Sequence, residues 1–278
     1  MKYLTTLIVT ILLLSGLPRA FAQVTQYVAA KDEIFNQTST AAPSPDATAP
    51  WRVDTVVAVN AQSDLSNNPT VTAPSGGTGA TPLTLTYNAG SGQYRNRVNF
   101  ADRASLDAAY PDGTYVMHMV SPVFGTKNVN LTINPASYTF PTDIPKLSNT
   151  TWSGGMLQLD PTVSNTLNWN AFSQLSGNDY VIFDLFGQNV SISQSGSLTS
   201  FTLNANTLVP GQTYSGDIDF IHVTTFDTTS VSGATGQAGY DVFTHFTIQA
   251  VPEPSTWMLL SLGVFGLCAV ARRRAPST

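Results

Sequence analysis

The segment Leu208-Val209-Pro210-Gly211-Gln212-Thr213-Tyr214 lies between two runs of strand-forming residues in the second half of the 278-residue chain. A Pro-Gly pair favours a tight turn, because proline fixes φ and glycine accepts a positive φ. The segment therefore predicts a turn that leads into a strand beginning with Tyr214. The first half contains a similar arrangement, Tyr110-Pro111-Asp112-Gly113-Thr114-Tyr115. Two such turns predict two similar β-rich units.

Short runs of β-branched and aromatic residues, separated by Gly, Asn, Ser and Pro, surround both turns. The strand candidates are 53–60, 83–87, 94–100, 114–120 and 128–133 in the first half, and 166–169, 180–183, 201–203, 214–223 and 242–248 in the second. The best helical candidate is the short stretch 101–109. This pattern predicts an all-β fold.

Composition excludes several classes of protein. Charged residues make up 10% of the chain, and Lys and Glu, the usual surface residues of helices, are scarce. A helical bundle is therefore excluded, and the single Cys excludes a disulfide scaffold. Residues 23–251 carry seven Lys or Arg and sixteen Asp or Glu, a formal charge of −9, which argues against nucleic acid as a partner.

The L-x-P-G-x-x-Y element resembles the turn of fibronectin type III domains. In that family a Tyr at the start of the sixth strand bonds its hydroxyl back to the preceding loop, the tyrosine corner. Pro210, Gly211 and Tyr214 match this element, and Trp169 matches the buried aromatic of the second strand. The resemblance covers about 140–250 and implies two tandem immunoglobulin/fibronectin III-like β-sandwiches. A long loop, 224–239, is expected before the last strand.

The chain divides accordingly into five predicted segments. They are a signal peptide at 1–22, an N-terminal strand and Pro-rich linker at 23–50, a first sandwich at 51–139, a second sandwich at 140–250 and a sorting signal at 251–278. Two prolines within 140–147 mark the predicted boundary between the sandwiches.

The N-terminus has the three parts of a secretory signal peptide. Lys2 supplies the positive start, 4–17 form the apolar run, and Ala20-Phe21-Ala22 provide small residues for cleavage before Gln23. The alternative is an uncleaved membrane anchor. We predict an exported protein and signal peptidase as a partner.

The C-terminus combines a short motif, an apolar run and a basic cluster. Pro252, Glu253 and Pro254 precede an apolar stretch at 257–271, which is followed by Arg272, Arg273 and Arg274. The pattern predicts a single transmembrane helix, 257–271, that crosses with its N-terminus outside, since arginines mark the cytoplasmic side.

This arrangement closely resembles the PEP-CTERM sorting domain of bacterial exported proteins. The resemblance implies recognition by an exosortase, a membrane cysteine protease that cuts near the motif and passes the protein to the cell surface. It also implies a Gram-negative bacterium that makes exopolysaccharide. An ordinary single-pass anchor that stays uncut is the competing interpretation.

Candidates for chemistry are few. The sequence has no G-x-S-x-G, phosphate-loop or H-E-x-x-H motif. A histidine-based site would have to use His118, His222 or His245. His222 and His245 fall on the expected last two strands, so they could be cross-strand neighbours near Asp217 and Asp219 in a weak metal or acid–base site. The alternative places them on a solvent-exposed face.

Aspartates and tryptophans offer two further alternatives. Calcium could be held near the first Pro-x-Gly turn by Asp102, Asp107 and Asp112, or by the Asp217-x-Asp219 pair on one strand face, but no D-x-D-x-D-G loop is present. Trp51 and Trp152 could stack on sugar rings or fill the ends of the sandwiches. We predict no catalytic residue, no metal site and no cofactor.

Together these features predict a non-enzymatic protein of the bacterial surface or extracellular matrix, associated with exopolysaccharide or biofilm. Its precursor would be anchored in the membrane until an exosortase cleaves it. The alternative is a secreted module that binds, or weakly acts on, carbohydrate.

Overall fold

A computed structural model describes residues 24–251 except 135, 137, 138, 150, 176, 189 and 196. The all-β fold predicted from the sequence is confirmed, with one short α-helix. The elements are β1 (Val24–Asn36), β2 (Ser44–Pro45), β3 (Trp51–Val59), β4 (Thr70–Thr72), β5 (Leu83–Thr84), β6 (Thr86–Asn88), β7 (Gln93–Phe100), α1 (Arg103–Ala109), β8 (Gly113–Ser121), β9 (Gly125–Ile133), β10 (Trp152–Ser153), β11 (Met156–Leu159), β12 (Asn165–Asn168), β13 (Tyr180–Leu185), β14 (Val190–Ser195), β15 (Ser200–Leu203), β16 (Thr213–Asp227) and β17 (Thr235–Ala250).

A large sheet joins strands from both ends of the described chain. Its strands run in the order β14-β13-β16-β17-β1-β3-β7-β6, with β11 pairing beside the end of β17. The first and last strands pair in parallel, from Gln26 opposite Thr235 to Asn36 opposite His245. Because β1 and β17 are neighbours, the two halves of the chain share one continuous sheet.

Two smaller sheets cover one face of the large sheet. A four-stranded sheet, β5-β4-β8-β9, encloses a first hydrophobic core, and the two-stranded pair β12-β15 encloses a second. Strand β17 contributes to both cores, with Tyr240 and Val242 in the first and Phe246 and Ile248 in the second. The packing is therefore that of β-sheets stacked face to face. The division of the chain near Phe140 stays a prediction.

The loop predicted over 224–239 is wrong. Strand β16 continues to Asp227 and β17 begins at Thr235, so only 228–234 connect them. The glycines that resembled loop residues are required by close packing instead. A Cβ on Gly236 would lie 2.0 Å from the Tyr27 ring, and one on Gly239 would lie 1.9 Å from the His222 carbonyl oxygen.

The short helix predicted over 101–109 is confirmed as α1. Its first turn is capped by Asp102, whose carboxylate accepts a hydrogen bond from the Ser105 backbone N–H at 2.7 Å. Among the described residues, no helix has the length and apolar character needed to cross a membrane. The transmembrane helix predicted at 257–271 lies outside them.

Candidate functional site

The face of the large sheet opposite the two cores carries a half-enclosed cavity of about 280 Å³, which we call the groove. Alternate residues of six adjacent strands line it, because successive side chains of a strand point to opposite faces. Its charged lining residues are Asp184 on β13, Asp217 and Asp219 on β16, Asp241 on β17, Asp32 on β1, Arg52 and Asp54 on β3, and Arg95 and Arg97 on β7.

One end of the groove is a network of paired charges. Arg52 Nη2 lies 2.5 Å from a carboxylate oxygen of Asp32, and Arg97 Nε lies 3.1 Å from Asp54 Oδ2. Arg95 contacts the same Asp54 oxygen. Burial tends to raise the pKa of Asp54, but its hydrogen bond to Arg95 and the nearby guanidinium charges hold that pKa below the usual value. For Asp32 burial outweighs the attraction of Arg52, so its pKa is raised.

The other end of the groove is a row of carboxyl groups with few partners. Asp184, Asp219 and Asp241 each have a buried Oδ1 that accepts no hydrogen bond within the described part of the chain. Burial, reinforced by Asp241 and Asp217, raises the pKa of Asp219 well above its usual value. Burial and Asp32 do the same for Asp241. These carboxyl groups therefore retain a proton more readily than free aspartate.

This arrangement suits a polar, hydroxyl-bearing ligand more than a metal ion. A protonated carboxyl both donates and accepts hydrogen bonds. Tyr180, whose hydroxyl donates to Gln237 at 2.7 Å, and Phe243 place aromatic surface beside the carboxyl row. Within the described residues, no three His, Cys, Asp or Glu side chains are placed to bind one metal ion.

His222 and His245 are not cross-strand neighbours, which excludes the shared site considered from the sequence, and His222 does not lie on a solvent-exposed face either. In the antiparallel register of β16 and β17, His245 lies opposite Asp217 whereas His222 lies opposite Tyr240. The His245 Nδ1 contacts the Asp217 carboxylate on the groove side. His222 is buried on the other face, with Nδ1 2.7 Å from Asp179 Oδ2. The two rings are thus five residues apart along the hairpin and cannot share a ligand across the strands.

The remaining histidine and both tryptophans have local contacts. His118 Nδ1 lies 2.7 Å from Asn128 Oδ1, on the face opposite the buried residues Met117 and Met119. Trp51 packs edge-on against Phe140, with ring centroids 5.0 Å apart. The indole N–H of Trp152 donates to the Asn149 carbonyl at 2.8 Å, and its ring packs against the second core.

Both tyrosines that follow the two turns bond back to the preceding chain. The Tyr214 hydroxyl accepts a hydrogen bond from the Val209 N–H at 2.8 Å. At this turn, Pro210 is followed by Gly211, whose φ is +80°. In the first half, the Tyr115 hydroxyl lies 3.2 Å from the Tyr110 carbonyl oxygen and 3.0 Å from that of Pro111.

Trp169 and the aspartates considered for calcium have separate environments. Trp169 is buried and stacks on Phe183 at a centroid distance of 5.5 Å. Asp102 caps α1, whereas Asp107 and Asp112 both contact Lys31. The three aspartates near the first turn therefore do not form one cluster. Asp217 and Asp219 do lie on one strand face, as the sequence predicted, and both line the groove.

Sequence reasoning missed most of the groove. Asp32, Asp54 and Asp241 approach each other only because β1 lies between β3 and β17. The available signal was charge at alternate positions of otherwise apolar strands, as for Arg52 and Asp54 in β3. That signal shows which face a residue takes, but it does not show which strands are neighbours.

The predicted processing residues lie outside the described part of the chain. They are Ala20, Ala22 and Gln23 at the signal cleavage site, and Pro252, Glu253, Pro254, Arg272, Arg273 and Arg274 in the sorting signal. The last described residue is Val251, whose N–H donates to the Leu159 carbonyl at 2.9 Å.

Comparison with known proteins identifies the C-terminal segment. The chain matches the PEP-CTERM protein-sorting motif over residues 250–274. No curated protein matches it significantly. A solved structure described as "Biofilm associated protein - BSP domain" is 16% identical over 84% of this chain and 30% of its own, with a TM-score of 0.22. One described as "Cytokine receptor complex - Crystal form 1A" is 14% identical over 73% of this chain and 94% of its own, also with a TM-score of 0.22.

Those TM-scores carry no argument about fold or function, so the motif is the informative match. The chain spans less than a third of the biofilm-associated structure. The three-part C-terminal pattern read from the sequence is confirmed as a PEP-CTERM sorting motif, the mark of an exported protein that an exosortase processes and that is sorted to the cell surface.

Proposed function

We propose that this protein is a non-enzymatic component of the surface or extracellular matrix of a Gram-negative bacterium, associated with its exopolysaccharide. A signal peptidase would remove 1–22, and an exosortase would then cut the membrane-anchored precursor near Pro252-Glu253-Pro254. The observation that carries the proposal is the position of the sorting motif, which begins where the last strand of the fold ends.

The end of β17 is fixed on both sides. The Gly211 N–H donates to the Ala250 carbonyl at 2.7 Å, and the Ala250 N–H donates to the Gln212 carbonyl at 3.0 Å. Val251 is bonded to Leu159, as described above. Every described strand therefore precedes the proposed cut. Cleavage after Val251 would remove the sorting segment and leave both hydrophobic cores whole.

We further propose that the folded part comprises two immunoglobulin/fibronectin III-like sandwiches, 51–139 and 140–250, with 23–50 contributing the strand between them. The two hydrophobic cores and the two back-bonded tyrosines, Tyr115 and Tyr214, support this arrangement. His222 and His245 lie on opposite faces of the sheet, each against its own carboxylate, so the two rings do not form one site.

The sorting step is tested by replacing Pro252, Glu253 and Pro254 with alanine in a tagged protein expressed in an exosortase-containing host. We expect the variant to remain in the membrane fraction with its C-terminus intact. Alanine at Ser255 and Thr256 is the matched control, and this control protein should still be released. Equal release of the triple variant, or surface protein that retains Thr278, would contradict the proposal.

The groove favours carbohydrate binding as a second candidate function. The carboxyl groups of Asp184, Asp219 and Asp241 line the groove and can exchange hydrogen bonds with sugar hydroxyls, and Tyr180 and Phe243 can cover the apolar face of a sugar ring. We expect Asp219→Asn to weaken binding of the host polysaccharide in calorimetry. Asp102→Asn, which keeps a good helix cap, is the control. Absence of binding by the unaltered protein would exclude this candidate.

A further inference from the structure

Lys31 is a fully buried lysine in the middle of β1. Its side chain has an exposed fraction of 0% and points toward the first core, away from the groove. A buried ammonium is costly unless nearby groups compensate its charge. Two carboxylates do so: Asp107 on α1, 2.6 Å from Nζ, and Asp112 in the turn before β8, 2.8 Å from Nζ.

The two carboxylates contact Lys31 in different ways. Asp107 Oδ1 accepts a hydrogen bond from Nζ. Asp112 Oδ1 is buried at a comparable distance from Nζ, but the angles of this contact are not those of a hydrogen bond. Asp107 is therefore placed to take a proton from the amine, whereas Asp112 presents its carboxyl group to the nitrogen.

Both carboxylates are carried by well-fixed parts of the chain. Asp112 follows Pro111, whose carbonyl is bonded by the Tyr115 hydroxyl, and precedes Gly113 with its φ of +142°. Burial, reinforced by the nearby Asp112 carboxylate, raises the pKa of Tyr240, so its phenol lies close to the Asp112 carboxyl group. Tyr240 can thus stabilise negative charge that develops on a carboxyl oxygen of Asp112. Holding the amine and the carboxyl group in fixed positions favours bond formation between them.

We propose that Lys31 and Asp112 condense to form an intramolecular amide bond, with Asp107 as the general base. Asp107 accepts a proton from Nζ, and the neutral amine attacks Cγ of Asp112. The new C–N bond forms as one Asp112 C–O bond breaks. That oxygen leaves as water with the two protons lost by Nζ, and Asp107 returns to its carboxylate form. One ammonium and one carboxylate are consumed, so atoms and charge balance without an oxidant or co-reactant.

The bond would tie the two sheets of the first sandwich together. It would join β1 in the large sheet to the turn that enters β8 in the four-stranded sheet. The only cysteine of the chain lies at Cys268, so no disulfide could make this link. Strand β1 also pairs along β17, from which the sorting segment leaves. The inference does not depend on sorting or on ligand binding.

Mass spectrometry of the purified full-length protein, digested with trypsin after denaturation, tests the proposal. An amide at Lys31 blocks cleavage after this residue, so the first peptide contains Lys31 and ends at Arg52. The amide joins this peptide to a second one, 104–127, which contains Asp112. We expect this branched peptide, with a mass about 18 Da (one water) below the sum of its parts. Complete cleavage after Lys31 and no branched peptide would overturn the proposal.

Variants separate the amide bond from other losses of water. The sequence Asp112-Gly113 could form a cyclic imide, which also lowers the mass by one water. An imide would still allow trypsin to cleave after Lys31, and it would also form in Lys31→Arg. We expect Lys31→Arg and Asp112→Ala to abolish the branched peptide. Asp107→Asn should reduce its yield at least tenfold, whereas the control Lys127→Arg should leave it unchanged. If Asp107→Asn gave as much branched peptide as the unaltered protein, the role of Asp107 would be overturned. If Lys31→Arg did not fold, the digest of the unaltered protein would still show whether the amide bond forms.

Discussion

Single charged residues inside apolar strands determine the chemistry of the groove. Asp219 lies between Ile218 and Phe220, both of which are fully buried in the second core. Alternation alone places Asp219 on the opposite face, beside Asp217, and this much follows from the sequence. The proximity of Asp241 does not, because it depends on the register of β16 against β17.

At this scale we predict the pH dependence of stability from Asp219. Burial raises its pKa in the folded state, so the folded protein binds this proton more tightly than the unfolded chain does. The stabilisation that the protonated Asp219 contributes is complete below the ordinary Asp pKa of about 3.9. It is lost as pH rises through the higher pKa that Asp219 has in the folded protein. Asp219→Asn should therefore raise the urea midpoint at pH 7 and leave it nearly unchanged at about pH 3.

Asp46→Asn provides a control of opposite sign. The Ala49 N–H and the Asn36 side chain lower the pKa of Asp46, so its stabilisation is present at neutral pH and is lost as pH falls. This variant should have a lower midpoint at pH 7. If Asp219→Asn shifted the midpoint equally at both pH values, the effect would be one of packing and the pKa argument would be refuted.

At the scale of elements, the sequence predicted strands better than it predicted their neighbours. Runs of strand-forming residues identified β8, β9 and β13, and the best helical candidate, 101–109, contains α1. Strand β11 was missed because it has only four residues, and β14 was missed because four of its six residues are Ser or Gln. The β16–β17 hairpin was underestimated because Gly236 and Gly239 resemble loop residues until the atoms that face them are known.

Gly239→Ala tests this explanation of the hairpin. An added Cβ would lie 1.9 Å from the His222 carbonyl oxygen, so the two strands would have to separate locally. Backbone cannot yield as a flexible side chain can, and we expect a loss of roughly 3 kcal/mol or more in the free energy of unfolding, measured in urea. Gly90→Ala is the control, since only the Asn88 side chain approaches that site, at 3.2 Å. Comparable small losses in both variants would refute the packing argument.

At the scale of the whole molecule, one sheet connects two cores. The N-terminal strand pairs with the C-terminal strand, a long-range contact that local patterns do not reveal. A second link joins β9 to β16, where the Thr224 and Thr225 hydroxyls donate to the Thr132 carbonyl at 2.6 and 2.7 Å. The tandem sandwiches expected from the sequence are therefore physically coupled through β16 and β17.

This coupling predicts that damage to the second core will also destabilise the first. Phe183 is fully buried in the second core, so Phe183→Ala should cost about 3–5 kcal/mol. If β17 makes both cores unfold together, amide hydrogen exchange should accelerate in β8 and β9 as well as in β13, because their slowest amides exchange through the same global opening. Val123→Ala, at a site that is 53% exposed, should change neither region. If the amides of β8 and β9 in Phe183→Ala kept the protection that they have in the unaltered protein, β17 would be able to detach from one core while remaining folded on the other. The two cores would then unfold independently in spite of the continuous sheet.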